Sequence, residues 1–467
     1  MNTRIEHDLL GDMALPADTW YGIQTQRAID NFAITGVPIS HFPALVNALA
    51  MVKAAAARAN RDLGLLPAHK AEAILAACTD IIGGRLHEAF VVDLIQGGAG
   101  TSTNMNANEV IANLALEKLG QPRGAYAHLH PNDDVNMSQS TNDAYPTAVC
   151  VGLQFAVEPL VEAIARLKRA LEDKGREFAD VIKMGRTQLQ GAVPMTLGLE
   201  FEAFAVNLGE DIDRLHEVCA LLCEVNLGGT AIGTGINTHP DYAALAVRHL
   251  AEISGKPIVP AANLVEATSD MGAFVLFSGV LKRFAVKLSK LANDLRLLSS
   301  GPRTGFGEIH LPPMQPGSSI MPGKVNPVIP EAVNQTAYQV IGNDLAVTMA
   351  AEAGQLQLNA MEPLIVYNLL SSVRMLDAAC RMLEERCIRG IRADRAQCRR
   401  HVEHSIGVIT ALVPHIGYAN ASRIAAQALH SGDTVRALVL GEGLLGEAEL
   451  DALLSPRSML APQRRAA

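Results

Sequence analysis

Apolar residues recur at alternating intervals of three and four along five separate stretches of the chain, and no other feature limits its fold so strongly. The first reads Leu153, Val157, Leu160, Ile164, Leu167, Leu171. That spacing places one narrow apolar seam on a helix and favours near-parallel packing against helices of the same kind. The pattern returns at Leu197, Phe201, Phe204, Leu208, Ile212, Leu215, Cys219, Leu222, and again from Phe274 through Leu281 and Leu288 to Leu298. A fourth run covers 328–352 and a fifth passes from Val366 through Val373 and Cys380 to Cys387. Helices of about 25–35 residues are expected, against a globular mean of about 11–12. Five of them imply a mainly α fold built on a long five-helix bundle. Pro159 interrupts the first run, which predicts a bend about one turn earlier.

Small residues beside the seams leave room for further helices outside, so association through the bundle is expected. The flanks have shorter helical patterns and more breakers. At roughly 150 residues per domain, three domains are expected: 1–140, mainly helical; 141–395, the bundle; and 396–467, small and helical. Strands are expected to be scarce.

Gly-, Thr- and Asn-rich breaks separate the helices: "QGGAGTSTNMN" at 96–106, "NMSQSTND" at 136–143, "GRTQLQG" at 185–191 and "NLGGTAIGTGINT" at 226–238. A fifth, "GSSIMPGKVNP" at 317–327, holds two glycines, two prolines, a serine pair and one lysine. Their hydroxyl and amide residues, taken with Lys324, make a set with a single lysine. Such a set suits a small dicarboxylate, whose oxygens each accept several hydrogen bonds. The same residues would also serve as helix caps, where orphan N–H groups need partners. Spacing alone does not show that the breaks converge.

Charge and cysteine usage exclude several classes. A net charge of −9 argues against a nucleic-acid partner, which calls for a basic face. The seven cysteines form no C-x-x-C pair, so neither a zinc site nor a redox motif is indicated; Cys219 and Cys223 are expected to be buried thiols. No apolar run reaches the ~18 residues of a membrane span, and the opening "MNTRIEHDLLGDMALP" has no apolar segment of a secretory leader. A cytoplasmic location with no membrane partner is the expectation. No dinucleotide or phosphate-loop fingerprint, H-E-x-x-H or nucleophile elbow is present. His128 and His130, near Asp133 and Asp134, are expected to form a polar turn rather than a metal site.

The stretch at 317–327 resembles the signature loop of the aspartase/fumarase superfamily, and the resemblance covers nearly the whole chain. "ADTWYGIQTQRAIDNF", "NMNANEVIAN", "HPNDDVNMSQSTNDAYPT", "GRTQLQGAVPMTLG" and "NLGGTAIGTGINT" follow in the superfamily's order. It implies a three-domain subunit whose five-helix middle domain joins three copies in a twenty-helix homotetramer core, each active site being built from three chains. "TSTNMNANEV", "QSTNDAYPT", "AAEAGQLQLNAMEP" and "NPVIPEAVNQ" are nearer its ammonia-lyase branch than its class II fumarate hydratases, the alternative. The implied reaction is L-aspartate ⇌ fumarate + ammonia, by Cβ proton removal through an aci-carboxylate. No cofactor is implied, with a divalent cation such as Mg2+ as an optional activator and no metal-ligating residue identified.

Carried onto this sequence, the resemblance implies Ser318 as general base. Thr101, Ser140, Thr141 and Ser319 would hold the β-carboxylate, and Lys324 and Asn326 the α-carboxylate. Asn142, Thr187 and Gln188 would lie near the departing ammonium. A serine base needs its alkoxide stabilised by backbone N–H groups and Lys324, on a loop that bends at Gly317 and Gly323 to close over substrate. Two positions depart from the pattern. Gln188 stands where fumarases, and some members of the ammonia-lyase branch, have a His; in fumarases that His pairs with an acidic residue matching Glu331, which is here left without a titratable partner. Asp134 replaces a His common after "HPND", implying a more acidic entrance and leaving a secondary carboxylate site there in doubt.

Overall fold

The computed structural model describes residues 2–455, 458 and 459; the last eight residues of the expected C-terminal domain, 460–467, lie outside them. The chain opens with a β-hairpin, β1 (Thr3–Asp8) and β2 (Gly11–Pro16), then α1 (Ile23–Asn31), α2 (Pro43–Asp62), α3 (Ala68–Ile82) and α4 (Thr101–Lys118). The first long helix is α5 (Thr141–Glu177), followed by a second hairpin, β3 (Ile182–Thr187) and β4 (Gln190–Thr196), and by α6 (Leu197–Leu221). Next come α7 (Tyr242–Ser254), the short α8 (Leu264–Ala267), α9 (Gly272–Leu298), α10 (Val328–Glu352) and α11 (Glu362–Arg386). The C-terminal part carries α12 (Arg395–Glu403), α13 (Ile409–Ser431), α14 (Val435–Gly441) and α15 (Glu447–Leu453).

The five heptad stretches are thus α5, α6, α9, α10 and α11, with 37, 25, 27, 25 and 25 residues. Their seam positions are buried: Leu153, Leu160, Ile164, Phe277, Phe284, Leu288 and Leu376 are closed to solvent. Each such burial stabilises by about 1.5–3 kcal/mol, far more than helix propensity supplies per residue. α5 is assigned as one continuous helix through Pro146 and Pro159. Its 18-residue window of mean hydropathy 1.6 passes for a membrane span by length and composition, contrary to the sequence reading. Sixty-one per cent of that window is buried inside the protein, as befits a core helix.

Residues divide into two compact units, each drawn from three separate stretches: Met1–Glu162, Asp211–Val286 and Thr336–Asp377 in the first; Ala163–Glu210, Lys287–Gln335 and Ala378–Ala467 in the second. Each therefore holds a section of every long helix. In the first, Ser278 and Lys282 of α9 bond Asp344 of α10 at 2.8 and 2.6 Å, and Asn343 bonds Ser372 of α11 at 3.0 Å. In the second, Arg166 of α5 pairs with Glu384 of α11 at 3.0 Å, and Asn334 of α10 donates to Ser289 of α9 at 2.8 Å. The second unit also contains an apolar core in which Met184 of β3 packs with Val402, Val408, Leu412 and Ile424.

All seven cysteines are free. Cys219 and Cys223 are half-buried rather than buried, because they lie near the end of α6, where the helix gives way to the Glu224–Val225 strand.

Candidate active site

Three of the polar breaks meet in the first unit, around the N-termini of α4 and α5. Gly100, at φ 88, immediately precedes α4, and a Cβ there would lie 2.4 Å from the Tyr145 ring, so only glycine lets α4 start so close to α5. Ser140 and Asp143 form a reciprocal cap on α5: Ser140 Oγ accepts from Asn142 N at 3.2 Å, and Asp143 accepts from Ser140 N at 2.9 Å. The fully buried Asp143 also accepts from Gly228 N at 2.8 Å and Thr230 N at 3.1 Å, which ties in the 226–238 loop. Asn142 adds a bond to the Ala231 carbonyl at 2.7 Å. Both helix starts point backbone N–H groups and partial positive charge at this corner, which favours an anion.

The hydroxyls here are not equivalent. Thr101 spends its proton on the Gly98 carbonyl at 2.6 Å, so it must rotate to hold a carboxylate. Thr141 Oγ1 instead accepts from Asn104 Nδ2 at 3.2 Å, which leaves its own proton free to donate. Behind Asn104 lies a residue the sequence reading missed. Lys53 of α2 is 0% exposed, and its Nζ donates to Asn104 Oδ1 at 2.6 Å, Asn136 Oδ1 at 2.9 Å and Gln139 Oε1 at 2.9 Å. Its signal was a lone cation inside the apolar "ALAMVKAAAA".

Asp134 corrects an expectation. It is 7% exposed, and its carboxylate is engaged by Lys70 Nζ at 2.8 Å and His130 N at 2.8 Å. Its charge is neutralised locally, so it does not make an entrance more acidic. His130 Nδ1 accepts from Asn132 N and Asp133 N, both at 3.2 Å, and the segment is the polar turn the sequence implied.

The remaining predicted residues belong to the second unit. "GRTQLQG" is the tip of the β3–β4 hairpin rather than a plain helix junction. Gln188 (φ 54) and Leu189 (φ 62) both occupy the left-handed region, as a two-residue turn of this type requires. Non-glycine residues there are unusual and mark positions under constraint. The hairpin base is anchored by charge. Buried Glu308 receives Arg186 at 2.8 Å, His401 of α12 at 2.8 Å and Lys183 at 3.1 Å, and Lys183 also pairs with Glu200 at 2.6 Å. The cations beside Glu308 hold its carboxyl below the usual range, against the opposing effect of burial. Thr187 and Gln188 are exposed, and Gln188 lines a cavity of about 310 Å³ with Lys183, Arg186, Glu200 and Lys290.

The 317–327 loop closes on itself. Gly317 N donates to the Lys324 carbonyl at 2.8 Å, and Asn326 Nδ2 donates to the Gly317 carbonyl at 2.7 Å. Ser318 Oγ accepts from Ile320 N at 3.2 Å and Met321 N at 2.9 Å, the kind of backbone support a serine alkoxide needs. Ser319 and Lys324 are exposed, and Lys324 makes no ion pair among the described residues. Lys324, Asn326 and Glu331 line one cavity of about 820 Å³ with Asn293 and Arg296; Ser318 and Ser319 are not part of its wall. A Cβ on Gly317 would sit 2.5 Å from the Lys324 carbonyl oxygen and 2.7 Å from Asn326 N. Gly317→Ala should therefore open this closure and lower kcat/KM about tenfold, roughly the worth of one lost hydrogen bond. Steady-state kinetics check it, and unchanged kcat/KM would refute it.

Comparison with known proteins decides the family. The "Lyase" family model matches residues 11–342, and the "Fumarase C C-terminus" model matches 408–461. The chain belongs to the aspartase/fumarase superfamily. Among its relatives, an aspartate ammonia-lyase of Pseudomonas aeruginosa is 65% identical over 99% of this chain and 98% of its own length. One of Escherichia coli (strain K12) is 53% identical over 100% of this chain and 98% of its own length. A fumarate lyase:delta crystallin structure from Brucella melitensis, bound to cobalt, superposes at TM-score 0.96 with 63% identity, covering 99% of this chain and 100% of that one. A class II fumarase from Schistosoma mansoni gives 0.93 at 33% identity, over 99% and 100%. In this superfamily member, no three or more His, Cys, Asp or Glu among the described residues come together as a metal site would need.

Proposed function

We propose that this chain catalyses the reversible deamination of L-aspartate to fumarate and ammonia. Ser318 carries the proposal: its Oγ lies on two backbone N–H groups, in a loop whose one lysine is unpaired among the described residues. Full-length relatives named aspartate ammonia-lyase support the choice of substrate.

In the proposed reaction, the Ser318 alkoxide takes the Cβ proton, and the electron pair moves into the β-carboxylate as an aci-dianion. Donors placed in advance for the second charge lower this barrier most; Thr141, Ser140, Ser319 and a rotated Thr101 take that role. Lys324 and Asn326 hold the α-carboxylate. Return of the electron pair breaks the Cα–N bond, forms the double bond of fumarate and expels ammonia past Asn142, Thr187 and Gln188. The serine proton then leaves to solvent or to ammonia. Gln188 cannot take a proton at neutral pH, which suits a leaving ammonia better than activation of water. Glu331 supports the loop from α10. No cofactor is required, and a divalent cation such as Mg2+ would act only as an activator.

Purified protein should convert L-aspartate to fumarate at least about a hundredfold more efficiently than malate, a difference of roughly 2.7 kcal/mol. Fumarate's ultraviolet absorbance measures both. Comparable turnover of malate would make it a class II fumarate hydratase instead.

The proposal includes a cytoplasmic homotetramer without membrane or nucleic-acid partners, with three domains at 1–140, 141–395 and 396–467. Large apolar residues on the long helices face outward, among them Val206 (63% exposed), Leu276 (54%) and Met349 (64%), and such faces mark association surfaces. With each site drawn from three chains, mixing inactive Ser318→Ala and inactive Thr187→Ala subunits should restore part of the activity. A fully active monomer by light scattering would defeat the assembly.

A further inference from the structure

Lys53 lies outside the residues assigned to the reaction, and it rests on the floor beneath Thr141. An ammonium has three donors and no acceptor, and all three are used, each on an amide oxygen: Asn104, Asn136 and Gln139. This fixes which way the Asn104 amide faces. With Oδ1 on Lys53, Nδ2 has to point away, and it does so toward Asn136 Oδ1 at 3.1 Å and Thr141 Oγ1 at 3.2 Å. Asn136 Oδ1 receives a further donor from Asn108 Nδ2 at 3.2 Å, so it is held acceptor-side inward as well. Thr141 is thereby supplied with a donor from within the protein.

We propose that Lys53 is a positioning residue for the deamination: by fixing the Asn104 amide, it compels Thr141 to present its hydroxyl proton outward to the substrate's β-carboxylate. Were the amide reversed, Asn104 Oδ1 would face Thr141 and draw that proton inward, away from the developing dianion. The inference rests on the reading of the reaction given above. It explains why a residue buried to 0% exposure remains a lysine where a methionine would fill the same space without the cost of burying charge.

Protonation of Lys53 gives the idea a readout. Burial lowers the Lys53 ammonium to about 7, opposed by the Asp143 carboxyl on α5, which burial itself pushes up. The Cys78 thiol is itself pushed up to about 12 by burial, so it stays neutral through this range. Lys53 is therefore charged below about 7 and neutral above, and the orienting effect fades as pH rises.

The test compares wild type, Lys53→Met and Asn104→Asp in fumarate formation from L-aspartate between pH 6 and 8.5, with circular dichroism as a fold control. At pH 6, Lys53→Met should lower kcat on the order of 10- to 100-fold, less than outright loss of an oxyanion donor. KM should change less than about threefold, because Thr141 still binds but donates poorly. Wild-type kcat should decline as pH rises through about 7, and Lys53→Met should lack that limb. Asn104→Asp keeps an acceptor on Lys53 but removes the donor to Thr141. It should share the loss of kcat and, with no amide left to orient, lack the limb as Lys53→Met does; it decides the matter if Lys53→Met fails to fold. Wild type inactive on L-aspartate overturns the proposed function and this inference with it. Active wild type beside folded variants that keep kcat within twofold, or a limb retained in Asn104→Asp, overturns the inference alone.

Discussion

Ser318→Ala lowers kcat by about 10²–10⁴, the range a positioned general base contributes, and leaves KM nearly unchanged because the carboxylate-holding groups remain. The structure sharpens this expectation. The two N–H groups on Ser318 Oγ are also what a loop-capping serine would have, so geometry supports both roles and the kinetics separate them. A cap lost from an exposed loop would cost only about 1 kcal/mol. Retention of more than about a third of kcat, with chemistry rate-limiting, means a barrier change under about 1 kcal/mol. The serine would then be a cap, and Glu331, which shares a cavity with Lys324 and Asn326, becomes the first alternative base.

Lys324→Ala raises KM strongly and lowers kcat/KM by about 10²–10³. A charge-assisted hydrogen bond contributes about 1.5–3 kcal/mol, which accounts for most of that loss in the ground state as well as the transition state. The rest comes from the serine alkoxide, which loses a nearby cation. In a protein of net charge −9, Lys324 and Arg296 are the cations lining this cavity, so Lys324→Ala should also show a weaker dependence of kcat/KM on ionic strength than wild type. An unchanged KM would remove Lys324 from the substrate site.

The long helices were legible because their stabilisation is itself periodic. α10 spans Val328–Glu352, the limits its apolar spacing indicates, since seam burial both forms the helix and writes the pattern. The β3–β4 hairpin was not legible. Its turn uses Gln188 and Leu189 at positive φ without Asn or Gly, and its strands are held by the Glu308 charge cluster, whose members lie far apart in sequence. Lys53 was invisible for a related reason: what matters about it is three acceptors brought from α4 and the 136–139 turn. Asp134 misled because residue type alone gave its charge, while Lys70, which cancels it, comes from α3. Capping by Ser140 could be anticipated; the meeting of three breaks at one corner could not.

Each compact unit is stitched from three distant stretches, and this carries a consequence for how the protein is made. The first unit lacks its last piece until Asp377 has been synthesised, and the second begins only at Ala163 and still needs Ala378 onward. Neither can close on the ribosome as an autonomous early domain. Translation proceeds at about 5–20 residues per second, so the helices made first wait roughly 10–40 s for their partners. During that interval α5 lacks its α11 neighbour, to which Arg166 and Glu384 join it. Any lesion that slows elongation between α5 and α11 lengthens that wait without altering a single contact of the finished molecule.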